Sequence, residues 1–532
     1  MPLKRSFFPF RTVHVNALVL CTVFLPWSTA FLSMAQMLLA ANWFAEGIAK
    51  GTMRERLRSA FTTAPSLVFL SFLLLHVVGL LWTQDMAWGI DLGRILFPVL
   101  VFGAVLAGSP RLSRSELRII LLFGAWSAVA CALFGVLFNK GAADDYRALS
   151  IFISHIRLAL LLCIAVVIFL HYRSVKWWVN AAQYCGALLA VYFLDRLGSI
   201  QGFVILALIA SVMLLRRSRR WGTVPRWALR ISVAVVPIAL VAAALALIDA
   251  RHEPIPADLA ARVEYTAGGE RYYHDTTNTQ TENGTHVWTY LAWGELRRAW
   301  VLRSDRTLDD LDDKGHPLWS TTVRYLASKG MLKDSASVMA LSDDDVRAIE
   351  HGMSNALHDQ RGSIRVRMEE VLFELDLYRN KGLASGHSVT MRIEFQKAGW
   401  ALAKANWLYG VGTGDTQRAF DAYYTAARST LEPQWRLRAH NEYLTLWISF
   451  GIFGLLWSLC TWYWPAYKLG AWKQPLFIAW AIAFGVSCFT DDTIETQAGA
   501  TFFALYYALF VFAAPKAQPI PTDPVRVIPG SA

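Results

Sequence analysis

A chain of 532 residues that is 55% hydrophobic, 13% aromatic and only 17% charged falls outside the range of ordinary soluble domains. Its net charge of +11 does not mark a nucleic-acid surface, because the arginines are dispersed at the ends of apolar stretches and not massed on one soluble face. What remains is an integral membrane protein.

Taken in chain order, apolar runs near the ~20 residues needed to cross a bilayer recur at 15–26 and 28–46, a short pair split at Pro26, and then at 66–83, 90–107, 117–138, 152–171, 178–194, 198–215 and 228–249. Three more follow at 443–465, 475–490 and 498–514. The first run lacks an Ala-x-Ala-type cleavage site and leads directly into further spans, so no cleavable leader is expected. Basic residues crowd alternate connections: Lys4, Arg5 and Arg11; Lys50 to Arg58; Arg111 to Arg118; Arg173 and Lys176; Arg216 to Arg226; Lys468 and Lys473. These are expected to be cytoplasmic, and the connections at 83–89, 139–150, 195–198 and 491–497 to face the other side. The long segment 250–440 goes with the second set. The expected organisation is an all-α polytopic membrane bundle of about twelve spans: nine in 1–249, a large, mainly helical periplasmic domain over 250–440, three in 441–514, and a disordered cytoplasmic tail over 515–532.

Within 250–440, tryptophan, tyrosine and phenylalanine supply core, and helical periodicity predicts helices near 289–303, 319–329, 343–352, 363–379, 388–405 and 415–429. Ser342 and Ser388 are expected N-caps, Gly330, Gly352 and Gly382 expected stops, and 276–285 a loop or hairpin. Asn283-Gly284-Thr285 has the form of a glycosylation sequon. All six cysteines fall inside expected spans, so the segment must be held by packing without disulfides or cysteine-bound metal. The Gly-rich stretch 410–414 follows a helix and has the wrong spacing for a dinucleotide fingerprint. It supplies a tight turn, with an anion site on its free N–H groups as the alternative.

A proton-coupled transporter is expected to carry a buried ionisable relay, yet His76 and Arg94 are the main mid-span ionisable residues. The others gather at the outward ends of spans: His155 and Arg157, Asp195 and Arg196, Arg438 and His440, and Asp491, Asp492 and Glu495. Arginine pairs bidentately with phosphate oxygens and stays charged when partly desolvated, which suits the diphosphate of a lipid-linked sugar. The plainer alternative is that these arginines anchor helix ends among headgroups. Their position opposite to the usual positive-inside bias favours the first reading. His440, at the start of a span, suits general-base work near neutral pH, with Glu442 as the second candidate.

His440-Asn441-x-Tyr443-Leu444 followed by Gly451-x-x-Gly454, the Arg392 helix leading into Gly410-Val411-Gly412-Thr413-Gly414, and a large loop between the ninth and tenth spans resemble the O-antigen ligase / O-antigen polymerase superfamily. The stretches 325–330 and 491–497 look like its ligase-like branch in Bacteroidetes-type bacteria. The resemblance implies a metal-independent glycosyltransferase of the bacterial inner membrane, with no cofactor. It would take a glycan from undecaprenyl diphosphate and join it to lipid A–core or another glycan acceptor on the periplasmic side, with membrane lipids and no nucleic acid as further partners. It also implies two essential arginines and one histidine. The histidine carries over to His440 and one arginine to Arg392. For the other, Ser199-Ile200-Gln201-Gly202 has isoleucine where the family has arginine, so Arg196, three residues before that serine, takes the place, with Arg157 as competitor. Arg157, His155, Arg438, Glu442 and Tyr443 are the expected substrate-binding set. A polymerase, a protein O-oligosaccharyltransferase and a non-catalytic lipid-glycan transporter are the alternative functions.

The charge pattern predicts that topology reporters fused at Gly315 and Gly222 report opposite sides of the membrane, with both termini cytoplasmic. Finding both reporters on one side contradicts the twelve-span arrangement.

Overall fold

The computed structural model describes residues 8–138, 149–249, 255–256, 263–357, 363–382 and 384–515. The expected tail over 515–532 therefore lies almost wholly outside the described residues. The fold is all-α. Its first part runs α1 (Phe10–Phe24), α2 (Thr29–Ala49), α3 (Met53–Thr62), α4 (Ala64–Gly79), α5 (Met86–Ile95), α6 (Phe97–Ala107), α7 (Arg114–Phe138), α8 (His155–His171), α9 (Trp177–Arg196), α10 (Ile200–Arg217) and α11 (Thr223–Asp249). A two-residue hairpin, β1 (Thr281–Glu282) with β2 (Thr285–His286), precedes α12 (Trp293–Trp300), α13 (Leu318–Ser328), α14 (Ser335–Met339) and α15 (Asp343–Glu350). The chain continues through α16 (Ser363–Lys381), α17 (Ser388–Ala405) and α18 (Thr416–Ala426) to α19 (Glu442–Lys468), α20 (Pro475–Thr490) and α21 (Gln497–Ala508).

Among the described residues, five helical stretches are long and apolar enough to cross a membrane: Ala64–Trp82, Met86–Ala107, Arg114–Phe138, Ile200–Arg220 and Glu442–Lys468. Shorter apolar helices at Phe10–Phe24, His155–His171, Pro475–Thr490 and Gln497–Ala513 pack among them. The other expected spans also fall on helices, α2, α9 and α11. The run expected as one span at 90–107 is α5 and α6 in succession. Pro98 stands in the first turn of α6, where its missing N–H leaves no helical bond unmade.

Buried apolar side chains form three clusters. The largest joins α1, α2 and the run from α4 to α10 with α19, α20 and α21. A second, from Val287 to Ile349, closes α12 to α15 on themselves. The third packs Met391, Phe395, Ala398 and Leu402 of α17 against Phe420 and Tyr424 of α18 and against Ala439 and Ile448 at the start of α19. The four α17 residues are spaced on one helical face, which is the face buried.

Local signals in this region explain the element ends. Thr281 pairs with His286 and Glu282 with Thr285 around Asn283-Gly284, both at positive φ, the geometry a two-residue hairpin turn requires. Ser342 caps α15 in a reciprocal box with Asp345. Ser388 does not cap α17: the cap position is His387, Ser388 Oγ meets Arg367, and the Val389 N–H donates to Glu374 at 2.7 Å. A carboxylate from α16 thus does the work expected of the serine.

The feature that organises the molecule is a break inside α19. Gly451 has φ 67° and ψ −174°, which interrupts the helix mid-span. Backbone groups freed in an apolar environment must find partners inside the protein, and the segment after α17 supplies them. Val411 N–H donates to Ile448 O at 2.8 Å, Gly412 N–H to Ser449 O at 2.9 Å, and Ile452 N–H to Trp407 O at 2.7 Å. The two backbones touch: a Cβ on Gly451 would lie 2.0 Å from Leu408 O, and one on Gly410 would lie 2.3 Å from Ser449 C. Beyond the crossing, Thr413 Oγ1 donates to His76 O at 2.6 Å and Asp415 accepts from Gln84 N–H and Asp85 N–H at 2.6 and 2.9 Å. Gly414 N–H donates to Thr83 Oγ1 at 3.2 Å. The N–H groups of residues 411, 412 and 414 are therefore used inside the protein, which removes the anion-site alternative for this turn.

Gly451→Ala is expected to destabilise the protein by about 3 kcal/mol or more, through positive φ and a backbone clash. Gly470→Ala, also at positive φ but with nothing within 4 Å of the added Cβ, should cost only about 1 kcal/mol. Unfolding midpoints in detergent check this, and equal midpoints contradict the close crossing at Gly451.

Candidate functional site

The break and the third apolar cluster fix α17 against the first half of α19, and so bring Arg392 and His440 into one neighbourhood. His440 precedes α19 at φ +44°, a left-handed conformation uncommon for a residue with a side chain. The reversal lets Asn441 cap α19, its side chain accepting from the N–H groups of Tyr443 and Leu444 at 3.1 and 3.2 Å. It also turns the His440 ring toward Phe395 of α17, with centroids 5.6 Å apart, and toward the 491–495 turn that joins α20 to α21.

That turn carries the acidic half of the site. Asp491 Oδ1 lies 3.4 Å from His440 Nδ1, and its Oδ2 is ion-paired with Arg157 from the first turn of α8. Arg157 also donates to Asp492 O at 3.1 Å, and Thr445 Oγ1 donates to Asp492 Oδ1 at 2.8 Å. Glu442 accepts the Ile494 N–H at 3.0 Å. Glu495 is ion-paired with Arg438, whose guanidinium lies 5.4 Å from the Trp88 ring centroid. Three arginines, Arg157, Arg392 and Arg438, thus face four carboxylates.

Exposure separates the roles available to these groups. Asp491 and Arg157 each keep 8% of their side-chain surface, and Glu442 is 1% exposed. The His440 side chain keeps 31%. Burial, reinforced by Arg392, Arg438 and Arg157 and opposed by Asp492, holds the His440 imidazole below its ordinary pKa, so it is neutral and able to accept a proton at neutral pH. Burial lifts the Glu495 carboxyl to about 7 against the pull of Arg438. Glu442, sealed in and turned to a backbone N–H, is badly placed to take a proton from a bound molecule.

The other expected site residues divide. His155 opens α8 two residues before Arg157, and Arg392 lies on α17 with its Nη1 donating to Ser388 O at 3.3 Å. Tyr443 turns away, its hydroxyl donating to Gly485 O at 3.0 Å and its ring 4.6 Å from Phe489. Arg196 is the last residue of α9, half-buried, and none of the described contacts joins it to His440 or to the 491–495 turn. Ser199 after it caps α10, accepting from Gly202 N–H at 3.1 Å. Trp88 and Thr445 belong to the site and were not singled out in the sequence; a threonine one turn into a span signals nothing until its partner across the fold is known. Among the described residues, no group of three or more His, Cys, Asp or Glu is arranged to hold a metal ion.

Removing one member of a buried ion pair leaves an uncompensated charge and costs about 3–5 kcal/mol, whereas exposed or half-exposed arginines away from such features change stability by about 0.5 kcal/mol or less. Arg157→Ala is therefore expected to destabilise the protein strongly and Arg196→Ala only slightly. Unfolding of the two variants in the same detergent tests this, and similar losses contradict it.

Comparison with known proteins adds one positive finding. Residues 353–459 match the family model Wzy_C, described as O-Antigen ligase. No curated protein matches the chain. The matched segment contains α17, the crossing at Gly410 and Gly451, Arg392, Arg438 and His440, while Arg157 and the 491–495 turn lie outside it. This segment, which carries the partly exposed histidine and the helix break that fixes its surroundings, is thus similar to the O-antigen ligase family.

Proposed function

We propose that the protein is a glycosyltransferase of the bacterial inner membrane. It moves a glycan from undecaprenyl diphosphate to lipid A–core on the periplasmic side, and His440 is its general base. The observation that supports this most is the half-exposed, neutral imidazole of His440 beside three arginines, at the entrance to a helix long and apolar enough to span a membrane. The family match over residues 353–459 supports transfer of glycans in general, and the donor and acceptor named here follow from the sequence resemblance.

In this mechanism the acceptor hydroxyl gives its proton to His440 as its oxygen attacks the anomeric carbon. The bond from that carbon to the diphosphate oxygen breaks, and undecaprenyl diphosphate leaves with the electron pair. Negative charge grows on the leaving oxygen, where a guanidinium stabilises it more in the transition state than in the ground state. Arg392 is the arginine proposed for this contact, because the sequence resemblance carries an essential arginine of the family over to it and its charge acts on His440. Exposed aromatic residues Trp400, Trp407 and Tyr409 along and after α17 support a position of this entrance at headgroup depth, where a lipid-linked diphosphate sits.

Deletion of the gene should leave lipopolysaccharide core without a glycan ladder on electrophoresis. Core bearing a single repeat unit would indicate a polymerase, and an unchanged ladder contradicts both. In proteoliposomes with lipid-linked glycan and acceptor, His440→Gln should lower transfer by about 10²- to 10⁴-fold, since glutamine keeps a hydrogen bond but takes no proton. Because the required form is the unprotonated one and its pKa is lowered, wild-type transfer should be flat through neutrality and fall only as pH drops below the ordinary histidine value of about 6.5. A fall beginning above neutrality contradicts this base assignment.

A further inference from the structure

We infer that Asp491, clamped by Arg157, is the positioning residue that orients the His440 imidazole. The inference rests on His440 being the base. Asp491 divides its two oxygens between the partners, Oδ1 toward His440 Nδ1 at 3.4 Å and Oδ2 on the Arg157 guanidinium. It cannot turn freely, because its turn is pinned from two helices. Arg157 of α8 holds Asp492 O at 3.1 Å, Thr445 of α19 holds Asp492 Oδ1 at 2.8 Å, and Glu442 of α19 holds Ile494 N–H at 3.0 Å.

The chemical consequence is a choice of tautomer. With its Nδ1–H directed at Asp491, the imidazole keeps its lone pair on Nε2, the ring nitrogen not turned to that carboxylate. When Nε2 takes the acceptor proton, the imidazolium forms beside the carboxylate that is ion-paired with Arg157. Asp491 therefore balances the new charge without itself taking the proton, the role a carboxylate plays in hydrolase triads. The 3.4 Å separation is longer than a formed charge-assisted hydrogen bond and is expected to shorten as the imidazole becomes charged. The assignment also gives Arg157 a task distinct from holding the diphosphate.

The charged groups that face His440 are Arg392 from α17, Arg157 from α8, Arg438 two residues before it, and Asp491 and Asp492 from the turn. Glu442 and Glu495 are turned to Ile494 N–H and Arg438. Removing the Asp491 charge leaves Asp492 alone against three arginines around His440, so its protonation midpoint is expected to fall.

The test reads that midpoint without any substrate. The full-length protein in detergent is treated with diethyl pyrocarbonate across a pH series, and modification of His440 is followed by mass spectrometry. Transfer is followed in cells as the glycan ladder on lipopolysaccharide. Asp491→Asn should lower the midpoint below that of wild type and reduce transfer by about 10- to 100-fold, with Asp491→Glu restoring part of both. A midpoint near about 6.5 in Asp491→Asn would report an opened site; Asp491→Glu then decides the matter, partial transfer with a midpoint near wild type upholding the inference and complete loss overturning it. An inactive His440→Gln beside an unshifted, fully active Asp491→Asn overturns the positioning role alone. Full transfer by His440→Gln overturns the base, and the role of Asp491 with it.

Discussion

The ion pair between Arg157 and Asp491 is the contact on which the site depends. Each partner is nearly sealed from water, and a lone charge at either position would be expensive, so the two stand or fall together. Their pairing ties the start of α8 to the turn between α20 and α21, and that turn in turn meets α19 through Thr445, Glu442 and His440. Three distant stretches of chain thereby converge on one histidine. Arg157 thereby serves the scaffold, and Arg392, on a separate helix, is the arginine proposed to meet the leaving group.

A second constraint comes from the broken helix. A span interrupted at Gly451 exposes backbone groups that an apolar environment does not satisfy, and the Trp407–Gly412 stretch satisfies them only by crossing α19 at backbone contact. Because α17 ends at Ala405, directly before that crossing, the position of Arg392 relative to His440 is set by main-chain hydrogen bonds and not by side-chain packing alone. Two glycines far apart in sequence, Gly410 and Gly451, are thus the local cause of a functional geometry that neither shows by itself.

Much of this was readable from the residues. Apolar runs located the helices, the Met391, Phe395, Ala398 and Leu402 face of α17 is the buried one, and Ser342 and the Asn283-Gly284 pair behave as their chemistry dictates. His440, Arg157 and Arg438 could be picked out because basic residues are few on the outward ends of the expected spans, and Arg392 through the family resemblance. What could not be read was pairing. Nothing in the sequence says that Arg157 meets a carboxylate 334 residues away, nor that Glu442 turns inward to a backbone N–H while His440, two residues earlier, stays half open. The Gly451-x-x-Gly454 pattern reads equally well as close helix packing, and only the partner strand of backbone reveals a break. Ser388 failed as a cap for a similar reason: Glu374, on another helix, reached the free N–H first.

The central claim is that a lipid-linked diphosphate is held by Arg392 with His440 on the reacting side. The most direct measurement is a structure of the protein in a lipid nanodisc with undecaprenyl diphosphate bound. The account predicts diphosphate oxygens within hydrogen-bonding distance of the Arg392 guanidinium, and the His440 Nε2 edge facing them while Nδ1 stays on Asp491. A diphosphate seated instead at Arg196 between α9 and α10, with His440 remote from it, would contradict the account.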